Sequence, residues 1–317
     1  MNSNSSDAGL LLIKEFISKL GIERLLNHSF KTNDSAVFRY HTDRDNLLQM
    51  IYMIMAGYFE DDASDELTKD PIFFNRMDED TLKQFQEISQ ILRKRIYSIQ
   101  MPQAVILDLD STLLAAYGKQ EGRAFNFHYR SNGYHPLVCY DGITGDLIKI
   151  QLRDGAAYSC TGVTNFLQPI LDEYLNDYPT IHLLLRGDSG FATPDLYKQC
   201  EENGTSYVIR LMENFIKESK SGFDFSAVSS HNRIVNANRV QVHALAYNIF
   251  NWFRRLVLSA KMRKQRIDTV RLKLLKIATK VVHSARYITF KLCSSCPYKE
   301  EFYDTLSAIG KLNVQLE

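Results

Sequence analysis

Carboxylate side chains end two apolar runs of this sequence. Asp108 and Asp110 close the run that begins at Val105, and Asp188 follows Leu183–Leu185 and stands between two glycines. Because side chains alternate along a strand, Asp108 and Asp110 lie on one face near its end. Open α/β sheets bind ligands at that edge, and hard divalent cations prefer carboxylate oxygens. The pattern predicts a metal site.

A third carboxylate stands at the start of a predicted helix. Glu213, Lys217 and Lys220 have the spacing i, i+4 and i+7, which places them on one helix face. Carboxylates from three elements can hold two Mg²⁺ or Mn²⁺ ions, which activate a water or a 3′-hydroxyl at a phosphodiester. The two lysines can position a phosphate. The candidate metal ligands are Asp108, Asp110, Asp188 and Glu213.

Each of these elements also has a purely structural interpretation. Asp108 and Asp110 can cap the turn after their strand, and Asp188 can be a turn aspartate beside glycines. The face of Glu213 can be an ordinary solvated helix surface. The residue types and their spacing leave these alternatives open.

The surrounding pattern predicts a helical region and then a set of strands. Residues 8–100 carry apolar side chains at helical spacing, and Pro102 ends that pattern. The next runs predict one strand followed by an antiparallel meander, with a turn signal at Asn132-Gly133. These runs are Ala104–Leu109, Phe125–His128, His135–Tyr140 and Asp146–Gln151.

Helices and strands then alternate, which is typical of the α/β class. The predicted elements are a helix at Val163–Tyr178, a strand at Ile181–Leu185, a helix at Pro194–Glu202 and a strand at Ser206–Leu211. Beyond Asn236 the pattern is helical, and it stays helical and basic to about Ile288. We expect a helical N-terminal region at 1–101, an α/β catalytic domain at 102–258 and a basic helical region at 259–317.

Basic residues are concentrated near the C-terminus, although the formal net charge is only +1. Between Arg254 and Lys291 the single acid is Asp268. Charge runs are usually solvated helix faces, but the near absence of acids favours contact with nucleic-acid phosphates. The candidate DNA-binding residues are Lys217, Lys220, Arg254, Arg255, Lys261, Arg263, Lys264 and Arg266.

The composition predicts a globular protein of the reducing cytoplasm. It is 45% hydrophobic and 24% charged, which argues against disorder and fibrous classes. The five cysteines are scattered, and no apolar run has the length that spans a bilayer. We therefore expect no membrane partner.

Six stretches stand out by their order along the chain. They are Ala56–Glu66, Leu107–Thr112, Tyr134–Leu137, Leu185–Phe191, Glu213–Glu218 and Ala246–Trp252. In this order they resemble the DDE transposases of bacterial insertion sequences, in particular the insertion-sequence-1380 family. The resemblance runs through nearly the whole chain.

This resemblance implies an RNase H-like fold, two Mg²⁺ ions (or Mn²⁺) and cut-and-paste transposition. It assigns the catalytic triad to Asp110, Asp188 and Glu213, because Asp110, like the family's first acid, precedes a small residue and threonine. The implied partners are the terminal inverted repeats and target DNA, bound by a homodimer whose N-terminal region contacts the ends. The implied location is the bacterial cytoplasm, at the nucleoid.

Two places depart from the family pattern. Family members carry a β-rich insertion between the third strand and the glutamate helix, whereas here strand and helix meet at Leu211-Met212. A smaller segment is missing at Phe73-Phe74. Without a loop to carry Glu213 toward the two aspartates, we expect a copy with impaired strand transfer.

Two other functions fit parts of the sequence. Asp108-Leu-Asp-Ser-Thr112 is similar to the start of haloacid-dehalogenase-type phosphatases, in which the first aspartate is the nucleophile. The basic C-terminal stretch also fits a DNA-binding remnant that occupies element ends without cutting them.

Overall fold

The computed structural model describes residues 2–34, 40–58, 74, 76–209, 222–224, 228–283, 288–293 and 296–314. The predicted third acid, Glu213, lies outside these residues, as do Lys217, Lys220 and the predicted junction at 211–212.

The described residues of the N-terminal region form a short strand and four α-helices. These are β1 (Asn2–Ser5), α1 (Leu10–Lys19), α2 (Ile22–Ser29), α3 (Asp43–Ala56) and α4 (Glu79–Ile99). Thr42 and Asp78 each form a capping box at the start of α3 and α4. Gly21 separates α1 from α2 and has a φ of 65°. Glycine adopts this left-handed conformation at little cost, and the conformation ends a helix. Within the described part of residues 8–100 the predicted helices are present, and β1 precedes them.

Among the described residues that follow, there are eight strands and three α-helices. In chain order they are β2 (Ala104–Ser111), β3 (Leu114–Ala115), β4 (Ala124–Asn126), β5 (Ser131–Tyr134), β6 (Leu137–Asp141), β7 (Leu147–Gln151), α5 (Val163–Asp177), β8 (His182–Gly187), α6 (Pro194–Glu202), β9 (Ser206–Ile209) and α7 (Arg233–Val257).

Five of these strands form a mixed sheet in the order β7-β6-β2-β8-β9. Strand β6 runs antiparallel to its neighbours β2 and β7, whereas β2, β8 and β9 are parallel. Helices α5 and α6 make the connections between the parallel strands, as such crossovers require. A smaller sheet in the order β3-β5-β4 lies beside the end of β2. The fold is therefore mixed α/β, in agreement with the predicted class.

Helix α7 closes the free edge of the sheet at β7. The side-chain amide of Asn248 accepts from the backbone N–H of Leu147 and donates to its carbonyl, both at 2.8 Å. Gln241 donates to the carbonyl of Ile150 at 2.9 Å, and Tyr247 to that of Gly145 at 2.8 Å. Buried backbone groups without partners are costly, so the polar side chains of α7 take the place of a further strand.

The C-terminal region differs from its helical prediction. After short helical turns at 260–275, β10 (Thr279–His283) and β11 (Ile288–Leu292) form a sheet with β1, and α8 (Lys299–Lys311) ends the described part. Residues 279–292 contain alternating β-branched and aromatic side chains, which favour a pleated strand over a helix.

The three predicted regions share one hydrophobic core. Buried side chains from α1, the mixed sheet, α7 and α8 belong to the same cluster. Phe16 of α1, for example, packs edge-to-face on Phe253 of α7 with ring centroids 5.6 Å apart. None of the helices in the described residues has the length and apolarity to cross a membrane.

We expect Asn248→Ala to lower the free energy of unfolding by about 2–4 kcal/mol, because it leaves two buried backbone groups of Leu147 unpaired. Urea denaturation measures this change. Asn165→Ala, at an exposed position of α5, is the matched control and is expected to change stability by less than about 0.5 kcal/mol. Equal effects of the two substitutions would contradict the role assigned to Asn248.

Candidate active site

Asp110 and Asp188 lie at neighbouring strand ends. The last paired residues of the parallel strands β2 and β8 are Leu109 and Gly187, so each aspartate stands one residue beyond this pair. Along β2, partly exposed and buried residues alternate, and Asp108 and Asp110 are both on the partly exposed side. The predicted shared face and the predicted carboxyl-end position are therefore both present.

Backbone N–H groups orient both carboxylates. Oδ1 of Asp110 accepts from the N–H of Ser111 at 2.6 Å, and Oδ1 of Asp188 accepts from the N–H of Gly190 at 2.8 Å. A Cβ at Gly190 would lie 3.0 Å from that same Oδ1 and 3.1 Å from Cβ of Ser159. A side chain at position 190 would therefore press on the Asp188 carboxylate and on Ser159.

An ion pair joins β2 and β8 two residues before the two aspartates. Asp108 and Arg186 are direct cross-strand partners, and Nε and Nη2 of Arg186 donate to the two oxygens of Asp108 at 2.8 and 2.5 Å. These hydrogen bonds raise the pKa of Arg186 above its ordinary value. Asp108 was a candidate metal ligand, yet it would have to give up this bidentate pair to bind a metal. Sequence analysis did not identify Arg186, although its position two residues before Asp188 places it close to the site.

A buried arginine organises the loop beside the aspartates. Arg153 donates to the carbonyl of His135 at 2.9 Å, and its Nη1 donates to the carbonyls of Tyr158, Ser159 and Thr161 at 3.1, 3.0 and 2.7 Å. Burial lowers the pKa of Arg153 to about 10, so it stays charged at neutral pH. No motif or spacing in the sequence indicates this role.

This loop reaches the site through two serines. Oγ of Ser111 donates to Oγ of Ser159 at 3.0 Å, and Ser159 also lies against Gly190. The residue after Asp110 and the turn after Asp188 are therefore joined through one loop side chain. A shift of the loop would be felt at both carboxylates.

His135 is buried next to this loop. Its Nδ1 lies 2.7 Å from the carbonyl of Ala157, and burial lowers the pKa of the imidazole. Sequence analysis assigned it no role, and its contacts are with the fold.

Four of the predicted DNA-binding cations are exposed, and two others are engaged within the protein. Arg255 forms an ion pair of 2.8 Å with the buried Asp146, and Arg254 donates to Asn251 at 2.9 Å. The exposed cations are Lys261, Arg263, Lys264 and Arg266. The described part of the basic stretch thus contributes both core contacts and an accessible positive surface.

Comparison with known families fits these placements. The family model described as "Transposase DDE domain group 1" matches residues 2–75, 73–212 and 211–314. The chain belongs to this family of DDE transposases. The match is divided into three segments, and the divisions fall at the two places where the sequence departs from the family pattern.

No curated protein matches the chain. Among solved structures, a piggyBac transposase synaptic complex with hairpin DNA is similar at 15% identity and a TM-score of 0.30, over 66% of this chain and 52% of that one. This chain thus spans about half the length of the transposase in that complex. Within the described residues, no cluster of three or more acids, histidines or cysteines is arranged to hold a metal ion.

We expect Arg186→Met to lower the free energy of unfolding by about 1–2 kcal/mol, since it leaves the largely buried Asp108 carboxylate without its partner. Urea denaturation of this variant should show less destabilisation when Asp108→Asn is added, because the unpaired charge is then gone. The control is Lys198→Met, which breaks an exposed pair with Glu202 and is expected to cost less than about 0.5 kcal/mol. Additive effects of the two site substitutions would count against the ion pair.

We also expect stability to fall in mild acid, because burial lowers the pKa of both His135 and His243. The folded chain binds these protons less readily than the unfolded chain. Their contribution is therefore complete above the ordinary pKa of 6.5 and is lost as pH falls through the lower folded-state values.

Thermal unfolding between pH 8 and pH 5 measures this loss. His135→Gln should flatten the pH dependence, whereas His182→Gln, at an exposed position, should not change it. An unchanged pH dependence in His135→Gln would show that this side chain is not buried in its neutral form.

Proposed function

We propose that this chain is an insertion-sequence transposase of the insertion-sequence-1380 family, with Asp110, Asp188 and Glu213 as its catalytic acids. The observation that carries the proposal is the side-by-side position of Asp110 and Asp188 beyond the last pair of β2 and β8, in a chain of the DDE transposase family. The mixed order of the sheet supports an RNase H-like catalytic fold.

The donor set fits Mg²⁺ or Mn²⁺. Both aspartates offer oxygen ligands, which suit these hard cations, and backbone N–H groups fix their orientation. Asp110 and Asp188 would hold the metal, and Glu213 is the proposed third ligand. When bound, the metal supplies an activated water or 3′-hydroxyl and stabilises the leaving oxygen of the phosphodiester.

The other residues prepare this site. Arg186 neutralises Asp108, so that this third carboxylate of the strand face does not add its charge to the two catalytic acids. Gly190 and Ser159 fix the turn that presents Asp188. Preorganised groups of this kind lower the cost of reaching the reactive geometry.

DNA is the proposed partner. Lys261, Arg263, Lys264 and Arg266 are exposed and can contact backbone phosphates, while the N-terminal region is proposed to bind the terminal inverted repeats. We further propose a homodimer on DNA, in the bacterial cytoplasm.

A second candidate function is binding to element ends without cleavage. The observation that favours it is the division of the family match at residues 73–75 and 211–212, as expected for a chain that lacks segments there. Loss of the segment before Glu213 would impair its delivery to Asp110 and Asp188. Binding through exposed cations would survive such a loss.

A cleavage assay tests the first candidate. The substrate is a duplex with the element's own ends, taken from the DNA that flanks its gene, together with Mg²⁺. We expect Asp110→Asn and Asp188→Asn to slow end cleavage at least about 10³-fold, the scale on which loss of one member of a catalytic unit acts. Asp195→Asn, at an exposed position of α6, is the matched control and should leave the rate unchanged.

The outcomes separate the candidates. Cleavage that survives Asp188→Asn would overturn the proposed acids, and loss of phosphatase activity in Asp108→Asn alone would favour the phosphatase alternative. No cleavage by the unaltered chain, combined with salt-sensitive binding to the ends, would establish the DNA-binding remnant. Loss of cleavage in Glu213→Gln would show that the third acid still reaches the site.

A further inference from the structure

The hairpin between β4 and β5 presents aromatic and basic side chains to solvent. Its tip is Phe127-His-Tyr-Arg130, and all four residues are exposed, with 86% of Phe127 accessible. Phe125 adds a ring that meets Phe127 edge-to-face at 5.2 Å. Neighbouring exposed aromatic rings of this kind are typical of binding surfaces.

A buried asparagine holds this tip in one conformation. Oδ1 of Asn126 accepts from the N–H groups of His128 and Tyr129 at 3.1 and 3.2 Å, and its Nδ2 donates to the carbonyl of Gly155 at 2.9 Å. The tip is thus fixed to the loop that Arg153 organises. A preformed surface loses little conformational entropy when it binds.

The tip lies next to the proposed catalytic acids. The hydroxyl of Tyr129 donates to the carbonyl of Ser111, the residue after Asp110, at 3.2 Å. On the other side, Tyr158 is 79% exposed and precedes Ser159, which contacts Ser111 and lies against the turn of Asp188. Two segments with exposed rings are therefore joined by hydrogen bonds to Ser111, the residue after Asp110.

We propose that the tip Phe127–Arg130 stacks on an unpaired nucleobase of the DNA strand at the cleavage site. This inference rests on the proposed function, because it uses the position of Asp110 and Asp188 as the place of cleavage. Aromatic rings accept any base on their π-face, and Arg130 can contact the adjoining phosphate. From residue 112 to residue 135 there are three basic residues, Lys119, Arg123 and Arg130, and one acid, Glu121, so the surroundings suit a polyanion.

Fluorescence of 2-aminopurine tests this contact, since stacking on an aromatic ring quenches it. The probe is a duplex with a three-nucleotide bubble and 2-aminopurine at its centre, and the protein is the full chain with Asp188→Asn and without metal. We expect Phe127→Ala to abolish the quenching and to weaken binding of the bubble about tenfold, as for loss of one base–ring stack. Phe127→Tyr keeps a ring and should restore both.

The control is Ile143→Ala, which removes another exposed apolar side chain, 56% accessible, from the turn between β6 and β7 and should change neither signal. Quenching that persists in Phe127→Ala, or is absent in the chain with Phe127, would overturn the proposal. Because the assay needs neither metal nor cleavage, its failure is distinct from failure of the end-cleavage assay. Cleavage without quenching would contradict only the proposed base contact. Quenching without cleavage would contradict only the proposed catalytic function.

Discussion

Parallel pairing of β2 with β8 is the constraint on which the candidate site depends. These strands come from parts of the chain more than seventy residues apart, and their register decides which side chains become neighbours. It sets Asp108 against Arg186 and brings Asp110 beside Asp188. Without Arg186, the carboxylates of Asp108, Asp110 and Asp188 would lie close together with no positive charge beside them. The register therefore supplies both the site and the charge balance that makes it tolerable.

Helix α7 has a comparable role for the whole molecule. It contacts the N-terminal helices through apolar side chains such as Phe253, and it binds the β6–β7 hairpin through Tyr247, Asn248 and Asn251. These polar residues belong to a stretch that the resemblance alone singled out. Their hydrogen bonds to backbone groups give a physical reason for residue types that are unusual on a buried helix face.

The sequence was sufficient for the elements that follow a simple period. The helix Pro194–Glu202 has the predicted bounds, and strands β2 and β8, which lead to Asp110 and Asp188, lie where alternation and apolar runs placed them. It did not reveal Arg153 or Arg186, because their partners are carbonyls and a carboxylate brought close only by the fold. Strands β10 and β11 were not predicted, because their basic residues fit a solvated helix face as well as a strand. Glu213 stays a prediction, since it lies outside the described residues.

Alternation along β2 also limits how this chain can vary. Asp108 must face Arg186 and Asp110 must face the site, so the spacing between them cannot change by one residue without turning one carboxylate into the buried side of the sheet. Length changes are tolerable only in connections where no side chain has to keep its face. Descendants of this sequence can therefore gain or lose residues around the site, but not within the strand that carries its first acid.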